Sequence, residues 1–142
     1  MSSEPTTHKF VAVLNKKVEV GKLMNALGHL AVGFGAAFVD KEAMRFDSYF
    51  DKDGGEHPSI SDNPFIILSA DNSNQICSLR NVLKINGIPY ADFTSTMTVG
   101  TFIEQKQRTN ETPETELDYY GICFFGEKNQ ISELTKKFSL WK

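Results

Sequence analysis

The chain has 142 residues, 40% of them hydrophobic and 23% charged, with 11 phenylalanines and a net charge of −3. That length suits one domain, able to bury roughly two-thirds of the surface its unfolded chain exposes, and the composition is that of an ordinary soluble protein. The acidic balance argues against a domain whose task is to neutralise phosphates, so a nucleic-acid partner would need a local basic patch.

MSSEPTTH is polar and lacks an apolar core, so it is no signal peptide. Residues 1–7 are expected as a disordered tail and 8–142 as a single α/β domain. KFVAVLN, 9–15, is apolar and β-branched enough for a buried strand, and a helix follows over 20–38. Residues 40–63 are polar and broken by Gly54, Gly55 and Pro58, which predicts a long excursion. Within it DKDGGEHP lacks the alternating acidic ligands and closing glutamate of a calcium loop, and reads as a turn. PFIILSA, 64–70, is the second strand. DNSN then supplies N-cap chemistry for a helix whose Ile76, Leu79 and Leu83 share one face and which stops near Asn86-Gly87. IPYADFT, 88–94, is the third strand.

Residues 98–117 show no core pattern and hold the acidic ETPETE, so they predict an exposed loop that can include a short helix. LDYYGICFFG, 117–126, is the fourth strand. Ile131, Leu134 and Phe138 mark a last amphipathic helix before an apolar Leu140-Trp141. The order β-α-β-α-β-β-α implies a largely parallel sheet covered on both faces, its fourth strand antiparallel for want of a helical crossover. Cys77 and Cys123 sit in apolar surroundings as buried free thiols. The longest apolar run, FIIL, is far too short to span a bilayer, so a cytoplasmic protein without membrane contact is expected. Neither a metal site nor a cofactor is expected.

Residues 21–37, GKLMNALGHLAVGFGAA, carry four glycines and a histidine inside a core helix. On a helical wheel Leu23, Leu27, Leu30 and Phe34 form one bulky stripe, which must face the sheet. Lys22, Asn25, Ala26, His29, Gly33 and Ala36 fall on another face, polar and then small. Glycine costs about 1 kcal/mol relative to alanine within a helix, so Gly28, Gly33 and Gly35 imply close approach by a helix, a partner subunit or a ligand. GFGAA does not follow a strand and is no phosphate-cradling loop.

Two functions fit this helix equally. In one, a small hydrolase uses His29 as general base, with Lys22 and Asn25 stabilising an oxyanion. Asp92 and Thr96, at the carboxyl end of the third strand, would face Lys22 and Asn25 across a crevice, because ligands of parallel sheets sit at that edge. In the other, the small face around Gly33 receives a metabolite or a partner subunit without catalysis.

FVAVLNKKVEVGKLMNALGHLAVGF, HPSISDNPFIILSA and YYGICFFGEKNQISELTKKFSLWK resemble the family called domain of unknown function 2000, over nearly the whole chain. That family is similar in fold to peptidyl-tRNA hydrolase II. The resemblance implies a three-layer α/β/α fold with a mixed four-stranded sheet, a homodimer and an aminoacyl-type or other small-molecule substrate. Gly21, Lys22 and His29 match the hydrolase's helix motif, and Asp92 and Thr96 match its third-strand spacing. The hydrolase's glutamine four residues after the lysine is Ala26 here. Its glycine and arginine between aspartate and threonine are Thr94 and Ser95, and 98–117 resembles an insertion. These departures speak against transfer-RNA hydrolysis.

Overall fold

In a computed structural model, which describes residues 4–142, the first apolar run forms β1 (His8–Asn15), the middle strand of a five-stranded sheet. Its last six residues are buried because both faces are covered: Phe10 and Leu14 point one way, Val11 and Val13 the other. α1 (Val20–Ala37) presses Leu23, Ala26, Leu30 and Phe34 onto the Phe10 face. Gly121 permits that approach, since a Cβ there would stand 2.7 Å from Leu14 Cδ2 and 3.1 Å from Leu30 Cδ1. The Lys41 ammonium donates to the carbonyls of Gly35 and Ala36, where the helix ends with unpaired acceptors.

The excursion over 40–63 contains a separate two-stranded hairpin, β2 (Phe46–Phe50) and β3 (Glu56–Ser61). DKDGGEHP is its turn: Asp51 Oδ1 accepts from the backbone N–H of Asp53 and Gly55, and Gly54 takes φ +83°. Those backbone bonds, with His57 against Oδ2 at 2.9 Å, lower the Asp51 pKa. β4 (Phe65–Ala70) pairs parallel with β1, from Phe10 opposite Phe65 to Asn15 opposite Ala70. α2 (Ser73–Ile85), capped by the Asn72 side chain on Gln75 N at 3.0 Å, seats Ile76, Leu79 and Leu83 on the Val11 face. Two helices thus leave adjacent parallel strands on opposite faces.

β5 (Tyr90–Thr94) is an edge strand, and α3 (Phe102–Asn110) is the short helix within the segment expected as an exposed loop with a short helix. α3 buries no residue; Gln105, Arg108 and Thr109 fasten it to the backbone and side chains of 96–100. β6 (Tyr119–Glu127) runs antiparallel to both β1 and β5. α4 (Lys128–Thr135) follows, and β7 (Ser139–Leu140) adds a fifth, antiparallel strand beside β4. The sheet order is β5-β6-β1-β4-β7.

The architecture corrects the four-stranded expectation, because a two-residue strand carries no period and the hairpin buries too little to show an apolar pattern. Of the tail expected over 1–7, the first three positions lie outside the described residues. Glu4 and Thr7 are tied to the body, their carbonyls accepting from Arg45 Nη2 and Lys128 N. No helix among the described residues is long and apolar enough to cross a membrane.

Candidate functional site

Lys22, Asn25 and His29 do share one flank of α1, and all three are exposed. The His29 ring stacks on Phe93 with centroids 5.7 Å apart. Gly33 is open: among the described residues, nothing beyond its own helical turn and chain neighbours lies within 4 Å of where a Cβ would be. Asp92 does not join them. Strand alternation sends Ala91 and Phe93 toward α1 and leaves Tyr90 and Asp92 on the α2 face. There Asp92 Oδ2 accepts from Arg80 Nε at 2.8 Å, and Arg80 Nη1 donates to Glu114 at 3.0 Å. The crevice expected to set Asp92 opposite Lys22 and Asn25 is therefore replaced by an ion-pair cluster on the far side of the sheet. Thr96 is buried as well. Its hydroxyl meets those of Thr94 and Thr109, each at 2.7 Å, and fastens α3 to the end of β5.

The carboxyl edge of the sheet does hold a crevice, of about 330 Å3, between β1 and the start of α2. Its buried Asn15 is engaged at both amide atoms: Nδ2 donates to Tyr119 O at 3.1 Å and Oδ1 accepts from Lys17 N at 3.0 Å. Burial pushes the Cys123 thiol up to about 12, which removes it as a nucleophile. Among the described residues, no three metal-ligating side chains converge.

An apolar cavity of about 460 Å3 opens on the other flank of α1, between that helix and the hairpin. Ala31 and Gly35 form its helical wall, and Phe10, Phe65, Phe46 and Ile60 supply rings and branches around it. These small helical residues lie more than about 100° around the wheel from His29, at 3.6 residues per turn. Phe46 and Ile60 are 54% and 61% exposed, so the hairpin wall carries apolar surface unmatched by the chain itself.

The wall's polar residues are Ser59, Ser61 and Asn63, the last only 6% exposed. Asn63 Nδ2 donates to the carbonyls of Ala43 and Met44 at 3.1 and 3.0 Å and reaches Ser61 Oγ at 3.2 Å. Ser61 in turn donates to Met44 O. Asn63 Oδ1 is buried without a donor. The chemistry-bearing side chains of α1 lie on the other flank; on the helix this cavity is lined by Ala31 and Gly35, small residues one turn apart.

The family model described as Protein of unknown function (DUF2000) matches residues 8–142. Among curated proteins none matches the sequence. Among solved structures the chain is similar to Atu0240, a protein of unknown function from Agrobacterium tumefaciens, at 15% identity and a TM-score of 0.79. The match covers 96% of this chain and 98% of that one, and at such identity it speaks for the fold alone.

Proposed function

Since the chain belongs to the DUF2000 family, proteins of unknown function, we propose from its geometry that it is a non-catalytic small-molecule-binding module of peptidyl-tRNA hydrolase II-like fold. The observation that carries this is the apolar cavity against Ala31 and Gly35, whose roughly 460 Å3 lies within the range of small-molecule sites. Hydrolysis is fastest where the base and oxyanion donors are preorganised around the reacting bond in a sheltered, low-dielectric pocket. Lys22, Asn25 and His29 instead stand on open helix surface, and Asp92 is engaged by Arg80 on the opposite face.

Fluorescence of N-phenyl-1-naphthylamine, an apolar dye, tests the assignment. Its emission should rise with the wild-type protein and with His29→Ala. In Gly35→Leu the response should vanish while helix content is kept, because a Cβ at Gly35 meets nothing within 4 Å. Undiminished dye binding by Gly35→Leu would sink the reading.

A second reading, a homodimer, is favoured by the exposed face beside the cavity. Gly21 and Gly28 are seven residues apart and uncovered, and Met24 and Val32 next to them are 69% and 75% exposed. Nothing among the described residues requires glycine at either place, whereas a second helix packed closely would.

A further inference from the structure

The hairpin stands apart from the main sheet. β2 pairs with β3 and with no strand of the five, so its backbone bonds do not fix where it lies. Its fastenings gather at the root. Asp62 N donates to Arg45 O at 2.8 Å, the Arg45 guanidinium lies 3.8 Å from the Asp62 carboxylate, and Ser61 Oγ donates to Met44 O. Beyond the root, among the described residues, the side-chain bonds close within the hairpin: Ser48 to Glu56 at 2.8 Å and His57 to Asp51 at 2.9 Å. The root also holds Arg45 at φ +51°, left-handed backbone that a residue with a side chain rarely adopts. An arm tied at one end, through a disfavoured turn of backbone, has the geometry of a hinge.

Two-stranded ribbons are marginally stable in water unless a face is covered. Alternation puts Phe46, Ser48 and Phe50 on one side of β2, with Asp47 and Tyr49 on the other. Phe46 lines the apolar cavity and is still 54% exposed. Phe50 lies about 13 Å further along the same side. It is 63% exposed and is not a wall residue.

Resting on the binding function above, we propose that the hairpin is a flap that turns about Arg45 and Asp62 and folds Phe46 and Phe50 over an apolar molecule held against α1. Ala31 and Gly35 keep the helical wall low. Nothing among the described residues, beyond the helix's own turn and chain neighbours, lies within 4 Å of where a Gly35 Cβ would be. The bound molecule meets both rings only in the closed arrangement, and that difference in affinity is what shifts the arm. The empty cavity offers Phe50 no such partner.

Adjacent residues on opposite sides of β2 give the test. Phe50→Ala and Tyr49→Ala each remove an exposed ring, so both variants should keep the wild-type circular dichroism. Titration with N-phenyl-1-naphthylamine should show about ten-fold weaker binding for Phe50→Ala and less than about two-fold for Tyr49→Ala. Backbone amides of β2 and β3 should also exchange more slowly once the dye is bound. Wild-type affinity in Phe50→Ala, or hairpin exchange that the dye leaves unchanged, would show a fixed wall and overturn the flap while leaving the cavity as a binding site. Equal losses in the two variants would overturn it too, because they would come from the hairpin's stability and not from one side of it. If the dye does not bind wild-type protein, or binds Gly35→Leu undiminished, the binding function falls first and the flap with it.

Discussion

Asp92 illustrates how one residue's role turns on which way its strand faces. Its position late in the third predicted strand invites a catalytic assignment, yet it sits mid-strand in β5 with its carboxylate held by Arg80, and both side chains are 19% exposed. Arg80 also reaches Glu114, which is 58% exposed, and so ties the segment after α3 back to α2. A charge-assisted bond between half-buried groups is worth more than one in open water. Asp92→Asn should therefore lower stability by about 1–2 kcal/mol, while Glu114→Gln costs less than about 1 kcal/mol. Urea-unfolding midpoints read both. An Asp92→Asn protein as stable as wild type would show that Arg80 does not depend on this partner.

At the scale of elements, α1 and β6 use glycine for different reasons, and substitution separates them. Gly28 and Gly33 have open space where a Cβ would go, so Gly28→Ala and Gly33→Ala should each stabilise the monomer by about 0.5–1 kcal/mol through helix propensity. Gly121 is closed in by Leu14 and Leu30, so Gly121→Ala should destabilise by about 1–3 kcal/mol as those side chains are displaced. Opposite signs in thermal or urea unfolding are the expected result; a stabilising Gly121→Ala would contradict the packing. The same contrast explains what the sequence made legible. β1, β4, β6, α1 and α2 bury a whole face or stripe, and their runs and spacings mark them. β2 and β3 leave Phe46, Tyr49, Phe50 and Ile60 exposed, and α3 is held by polar bonds, so neither leaves an apolar period to read. The candidate site suffers most from this. Four of its ten lining residues come from the hairpin, and Asn63 is held by carbonyls nineteen and twenty residues earlier in the chain.

Across the whole molecule, α1 covers one face of the sheet, α2 lies with the opposite core cluster, and α1 turns an uncharged, small-residue surface outward. Gly21, Met24, Gly28, Ala31, Val32 and Gly35 run along that surface, and four residues after Ala31 the last glycine also lines the cavity. Two copies related by a twofold axis would bring Gly28 against its counterpart, where the missing side chains let backbones approach to a short helix–helix distance. A carboxylate at the centre of such a contact would lie buried against its own copy, and two unpaired like charges there oppose association strongly. Sedimentation equilibrium over micromolar concentrations should thus find wild-type dimers and Gly28→Glu monomers, with unchanged circular dichroism. Because Gly28 is not a wall residue of the cavity, the Gly28→Glu monomer should still bind N-phenyl-1-naphthylamine. A wild-type protein that stays monomeric throughout would remove the second copy as the reason for these glycines.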